Sequence, residues 1–280
     1  MKICPQCRTS LPDDARYCLQ CGTLQTGYPD TDVTPTPTWD WQGDLVNQAF
    51  VTLGERLAER VAAEQAADRL HLYQERLYQR GYRETVQRRL EQWRESLTVP
   101  ADEADRQTRL RELRELTDDL LDFFFVRHTA DLNRVVLPEA ALRYQWLPAE
   151  EIDRNEMALT YLDFANEEER VYTEFITLSA RKIRNAGKAF LFPERDEKIW
   201  FICDQSLLGN AKSGFAMTEK ALYWKTGLQA PQRVYYHKLF ALQREKEWLL
   251  INELYFNASP SLNTKMIWLL RRLGRMMSDG

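Results

Sequence analysis

Long apolar runs are missing from this chain. Its unbroken apolar stretches are short, such as Leu120-Leu121 and Phe123-Phe124-Phe125-Val126, far below the roughly 20 residues needed to cross a bilayer. The chain opens on a cysteine motif where a secretory protein would carry an apolar signal segment, so the expected location is the cytoplasm. Histidine is scarce. His71, His128 and His237 are the only three, spread over three parts of the chain with no Ser or Cys nucleophile motif beside them. No Rossmann or Walker glycine pattern is present and no HExxH. The carboxylates fall in helical charge patterns and form no isolated pair in an apolar context. These absences point away from an enzyme and from a small-molecule substrate. Lysine, too, is absent over a long stretch: from Arg8 to Arg181 every basic residue is Arg, and Lys recurs from Lys182 onward.

What is present is a chain of 280 residues, 44% hydrophobic and 29% charged. That is long enough for two compact domains, and too apolar to be disordered throughout. The net charge of −4 conceals an asymmetry. Residues 1–27 carry three bases and two acids, and residues 28–170 carry 18 bases and 30 acids. Residues 171–280 carry 17 bases and ten acids. The middle is therefore at −12 and the last part at +7, a shift that marks separate modules.

The clearest chemistry lies at the start. Cys4-Pro5-Gln6-Cys7 and Cys18-Leu19-Gln20-Cys21-Gly22 are separated by ten residues. Two residues between cysteines let a tight turn present both sulfurs to one tetrahedral ion. Gly22 follows the second pair, where such a turn calls for a positive φ; Arg8 holds the equivalent place after the first. Two disulfides, or unrelated free thiols, are the competing readings, and a reducing compartment favours the metal. Four thiolates fill the coordination sphere, so Cys4, Cys7, Cys18 and Cys21 are expected to hold one structural Zn2+. The fifth cysteine, Cys203, reads as a small core residue of a strand. The run CPQC, LPDDARYC and CLQCG resembles the short zinc ribbons of bacterial protein N-termini over residues 1–24. That resemblance implies binding to a protein or a nucleic acid.

Residues 25–43 are rich in Thr, Pro, Asp and Gly and read as a linker. They contain Trp39-Asp40-Trp41. The two tryptophans either dock on another surface or fold back on the next helix, and the second reading is favoured. From 44 to 135 the pattern is helical. Val46, Phe50, Leu53, Leu57 and Val61 step by four and three, as do Val86, Leu90, Trp93 and Leu97, the seam of a heptad. Pro100 stops this helix, and Leu110, Leu113, Thr117, Leu120 and Phe124 mark a second. Two long helices then form an antiparallel, coiled-coil-like hairpin, with Glu55, Arg56, Glu59 and Arg60 paired on its outer face. A heptad seam can also pair between chains, so a homodimer through the hairpin is one expectation. Residues 136–187 read as a helical connector, with Glu167-Glu168-Glu169 suited to a helix N-terminal turn.

From 188 to 277 the period changes. Seven short aromatic or β-branched runs, separated by Pro193, Gly209-Asn210, Gly227, Pro231 and Asn252, predict an antiparallel barrel or sandwich. Ser259 or Ser261 can cap a final helix with Leu262, Met266, Leu269, Leu270 and Leu273 on its apolar face. Asp204, the turn Gly209-Asn210-Ala211-Lys212-Ser213-Gly214, Thr218-Glu219-Lys220 and Tyr223-Trp224 resemble bacterial pleckstrin-homology-like (PH-like) domains. The likeness implies a bent pair of sheets plugged by a helix, a fold that hosts lipid, peptide and protein binding alike. The Gly209–Gly214 motif lacks the Gly-Lys-Ser/Thr ending of a phosphate-binding loop and reads as a hairpin turn with a basic tip. Lys212, Lys220, Lys225, Arg233 and Lys238 either contact an anion, whether lipid headgroup, nucleic acid or acidic partner, or pair with the acidic middle of the same chain.

The expected architecture is thus multidomain α+β: a zinc ribbon (1–24), a linker (25–43), a helical hairpin (44–135), a helical connector (136–187) and a PH-like β-barrel with a terminal helix (188–277). The expected function is that of a non-enzymatic adaptor or scaffold that mediates protein–protein interaction. The alternatives are a nucleic-acid-associated factor using the ribbon and the basic C-terminal module, and a peripheral binder of anionic membrane through the PH-like domain.

Overall fold

A computed structural model describes residues 2–3, 8, 10–11, 40, 43–63, 67–95, 103–175, 179–227, 229–245 and 248–277. Cys4, Cys7, Cys18, Cys21, Trp39 and Trp41 lie outside the described residues. The chain divides into two compact units, Met1–Thr31 with Pro148–Gly280, and Asp32–Leu147. Among the described residues no helix is long and apolar enough to cross a membrane. At the start of the chain β1 (Lys2–Ile3) pairs antiparallel with β2 (Ser10–Leu11).

The unit Asp32–Leu147 is built from α1 (Leu45–Ala63), α2 (Leu70–Leu77), α3 (Arg80–Glu95) and α4 (Glu103–Arg127), with a 3-10 turn at Glu139–Gln145. The single long first helix expected from the heptad seam is instead three helices, interrupted by a 3-10 turn at Ala67–Arg69 and again at Tyr78-Gln79. Length explains the break. A continuous helix from 44 to 97 would be about 80 Å long, whereas the 25 residues of α4 span only about 38 Å. The excess seam can be buried only if the chain folds back, and α1 packs against α2, α3 and α4 at once. Leu53, Leu57, Val61, Tyr82, Val86 and Leu90 are buried, as are Leu113, Leu120 and Phe124 of α4. The seam is therefore covered within one unit, and a compact helical bundle replaces the hairpin.

The outer-face charges are also placed differently from the expectation. Glu55 and Glu59 are exposed, but Arg56 reaches Asp118 and the buried Arg60 reaches Asp122 at 2.6 Å, so both pairs tie α1 to α4. Arg60 also lies over the Phe125 ring, 4.6 Å from its centroid. Around the end of α4, Tyr82 packs on Phe124 and His128, with ring centroids at 4.8 and 5.3 Å. The Tyr82 hydroxyl donates to Leu120 O at 3.0 Å, and burial pushes its ionisation far up.

The second unit contains α5 (Arg154–Leu162), β3 (Arg170–Tyr172), α6 (Ala180–Ala189), seven strands from β4 to β10, and α7 (Pro260–Met277). The strands are β4 (Ile199–Asp204), β5 (Gly214–Thr218), β6 (Ala221–Lys225), β7 (Gln232–Tyr235), β8 (Leu242–Glu245), β9 (Trp248–Ile251) and β10 (Leu254–Phe256). They form two antiparallel sheets, ordered β3-β4-β5-β6-β7 and β10-β9-β8. The expected barrel is corrected here, because the sheets stay open. The outer edge of β4 is taken by β3, a strand inside the stretch read as a helical connector, and β7 leads into a 3-10 turn at Tyr236–Lys238 without pairing with β8.

Both faces of the five-stranded sheet are covered. Cross-strand neighbours Ile202, Ala216 and Tyr223 belong to one apolar cluster with Ala186 of α6 and Phe190 just after it. The alternate set, Phe201, Phe215 and Trp224, meets Phe164 and Phe256. Strands buried on both sides lose the alternation of a half-exposed sheet, which is why β5 is buried at every position. Pro260 is the first residue of α7, and Ser259 caps it, its Oγ accepting from Leu262 N at 3.2 Å. The β9–β10 hairpin turns through Asn252 and Glu253, with φ of 50° and 67°, the left-handed pair that a two-residue turn requires.

Two outcomes follow from the helical unit. Leu53→Ala, at a fully buried position, should lower unfolding stability by about 2–5 kcal/mol while light scattering reports an unchanged mass; a halved mass would mean that the seam joins two chains. Burial, and next the charge of Arg127, hold the His128 imidazole below 6.5. The unfolded chain therefore takes up this proton first, and stability falls as pH drops from about 6.5 toward the lower folded value. Urea midpoints at pH 7.5 and 5.5 should differ less in His128→Gln than in the parent.

Candidate functional site

At the N-terminus the observable geometry is that of a hairpin. Lys2 pairs with Leu11 and Ile3 with Ser10 in antiparallel register, and Cys4 and Cys7 fall between these strands in the sequence. Arg8, directly after Cys7, has φ +61°. A left-handed backbone costs a non-glycine residue about 1–2 kcal/mol and persists only where its surroundings enforce it. In sequence Arg8 stands where Gly22 stands after the second cysteine pair, a departure from the glycine of that pattern. Four thiolate donors at this sequence spacing are of the type that a tetrahedral zinc ion takes. Among the described residues, which do not include these cysteines, no group of three or more His, Cys, Asp or Glu could hold a metal.

The five basic residues of the C-terminal region do not form one patch. Lys220 sits in the β5–β6 turn and binds Glu194 at 2.7 Å. Glu194 also accepts from the Tyr235 hydroxyl at 3.1 Å; these two donors, Lys220 first, hold its carboxyl low, and Lys220 is raised in return. Arg233 lies over the Tyr235 ring at 4.5 Å, and Lys238 Nζ is 5.6 Å from the same ring. Lys225 pairs in register with Gly214 at the opposite end of the sheet, the end that also carries the exposed Lys212. Three of the five thus gather around Tyr235, and two lie at the far end. The intramolecular partner of Lys220 comes from its own unit. Beneath it, the buried Glu197 accepts from Tyr223 Oη at 2.9 Å and from Thr218 Oγ1, and burial pushes the Tyr223 phenol up. Sequence reasoning missed Glu197, which nothing local distinguishes from its exposed neighbours Glu194 and Asp196.

The Gly209–Gly214 motif is a turn built around Asp204. One oxygen of this buried carboxylate accepts from Ser206 N at 2.9 Å, and the other from Ala211 N at 3.1 Å. Ser206 Oγ accepts from Asn210 N at 2.8 Å, and Asn185 of α6 donates to Asn210 O at 2.8 Å. Gly209 and Gly214 both have positive φ, 61° and 134°, and a Cβ on Gly214 would collide with the Cys203 carbonyl. The glycines therefore serve the turn. At its tip Leu207 and Leu208 are 102% and 84% exposed.

The tryptophan pair flanks Asp40, whose backbone is held on both sides. Asp40 N donates to Gln48 Oε1 at 2.8 Å, and Gln48 Nε2 donates back to Asp40 O at 3.0 Å. The linker end is thereby fastened to α1, while Trp39 and Trp41 themselves lie outside the described residues. Cys203 is fully buried on β4, and burial drives its thiol well up. A second feature missed from sequence is the buried ammonium of Lys265, 2.6 Å from Glu167 and 3.6 Å from Asp163. Glu169 joins them by accepting from Ser259 N at 3.1 Å. The acidic run was expected at the N-terminal turn of the helix that follows it. It serves instead the N-terminus of α7, some 90 residues on.

A family model for the zinc-ribbon domain matches residues 3–24. No curated protein matches the chain, and no solved structure matches it.

Asp204→Ala should release the turn and lower unfolding stability on the order of 3 kcal/mol, since several donors to a buried charge are lost together. Urea unfolding checks this; a midpoint equal to the parent's would show that the turn stands without the carboxylate.

Proposed function

We propose that the chain is a non-enzymatic adaptor whose ribbon, stapled by one structural zinc ion on Cys4, Cys7, Cys18 and Cys21, docks on a protein partner. The observation that carries this reading is the zinc-ribbon match over residues 3–24, joined to the β1–β2 pairing and the left-handed Arg8. Four thiolates leave no coordination site for water or substrate, so the ion's contribution is to folding. In peptides of this size such binding is worth about 10–16 kcal/mol at neutral pH, more than so short a chain can gain from a core. The partner would meet surface side chains such as Ile3, which is 68% exposed on β1.

The PH-like likeness belongs to the same reading. What supports it is the division of seven strands into β4–β7 and β8–β10 followed by α7, with the Asp204-centred turn where the likeness places it. In this proposal the C-terminal β-rich region is a second binding module. Its setting is the cytoplasm, where the thiols stay reduced.

Elemental analysis of the full chain should find one zinc per molecule, and Cys18→Ser with Cys21→Ser should abolish it while Cys203→Ser leaves it unchanged. A partner that co-purifies with the tagged parent from its own cells should be lost in the double variant. Clean protein without zinc, or a partner retained by the double variant, would overturn the adaptor reading.

A further inference from the structure

We infer that the Leu207-Leu208 tip, with the cations around it, is a docking point for an anionic lipid bilayer. The inference is independent of the zinc ion. Among the described residues these two leucines are the most exposed large apolar side chains, and they are adjacent. They are also held in place. Asp204 and Ser206 bind the backbone of Ala211 and Asn210 behind them, Gly209 N donates to Ser206 O at 3.0 Å, and Asn185 anchors the turn to α6. A rigid base keeps both leucines in water, where they have no intramolecular role to explain their type.

The surroundings of the tip are basic. Arg170 of β3 lies against Gly209 with its guanidinium, and Lys212 follows on the same turn. Arg181 and Lys188 stand four residues before and three after Asn185 on α6, hence on the helix edge that meets the turn. All four are exposed, and none has an ion-pair partner among the described residues. They outnumber the exposed acids that flank β3, Glu168 and Glu174. The one carboxylate inside the turn, Asp204, is buried and committed to backbone donors.

The shape decides between a bilayer and a protein. A stable protein interface buries about 800 Å² on each side with matched relief, and two leucines on a convex tip offer little of either. A bilayer needs no matched relief. It accepts a small apolar wedge into the acyl boundary while its anionic headgroups attract cations spread over the surface. This assignment also moves the lipid contact foreseen from sequence. Lys220, Arg233 and Lys238 are engaged around Glu194 and Tyr235, and of the five lysines and arginines named there Lys212 is the one that stands beside the tip.

Co-sedimentation of the full-length protein with extruded vesicles tests the proposal. Phosphatidylcholine vesicles containing phosphatidylglycerol should pellet the protein at low salt, and phosphatidylcholine alone should not. Leu207→Ser with Leu208→Ser should weaken binding about tenfold, and Arg181→Glu with Lys188→Glu at least as much, as loss of a wedge or of surface cations predicts. Both pairs are exposed, and an unchanged thermal midpoint confirms the fold. Val51→Asp, at a 63% exposed apolar site on α1, should bind like the parent. No pelleting with anionic vesicles, or equal pelleting by the leucine variant, would overturn the proposal; the latter would assign the contact to another surface.

Discussion

The C-terminal unit depends on one buried ammonium. Lys265 is placed in the second turn of α7, where its side chain is 3% exposed and is held by Glu167 and Asp163. Removing one member of such a pair costs about 3–5 kcal/mol, because the other is left buried and alone. Its positional consequence is larger. By fixing Glu167, the pair fixes the start of β3, which lies three residues later and takes the outer edge of β4. Arg170 then falls opposite Asp204, and Asp204 organises the turn that carries the exposed leucines. One ion pair between residues almost a hundred positions apart thus sets the edge of the sheet and the place of its most prominent loop.

The helical unit obeys a different constraint, that of length. Its heptad seam was legible residue by residue: Leu53, Leu57, Val61, Val86 and Leu90 are all buried, as periodicity demanded. Periodicity identifies which face is apolar but not what covers it. The covering element, α4, is too short to match an unbroken partner, and the chain resolves the mismatch by turning twice. Arg56 and Arg60 show the same limit. Their charge pattern reads equally well as mixed-sign surface pairs with Glu55 and Glu59, and only the fold shows that Asp118 and Asp122 claim them.

Legibility of the candidate sites divides by sequence distance. The cysteine pairs, the Asn252 turn, the glycines at 209 and 214, and Ser259 at the head of α7 are local rules, and a short window displays each of them. Glu197 and Lys265 are buried; Thr218 and Tyr223 meet Glu197 from 21 and 26 positions away, and Glu167 meets Lys265 from 98, so no short window contains both ends. Asn252 combines the two cases. Its turn was visible, but its side chain also accepts from Phe240 N and Ala241 N and donates to Lys238 O, which ties the start of β8 to the β9–β10 hairpin. The acidic triplet at 167–169 was read by the correct physics, acids at a helix N-terminus, applied to the wrong helix.

The burial of Cys203 has a practical corollary. A thiolate is the reactive form of cysteine, and a thiol sealed within a sheet and pushed far above its ordinary range offers almost none. The other four cysteines all fall within the first 21 positions. Any cysteine thiol that a water-borne alkylating reagent modifies in the folded chain therefore reports on that short N-terminal segment alone. The molecule carries its own built-in counter for the state of its first two dozen residues.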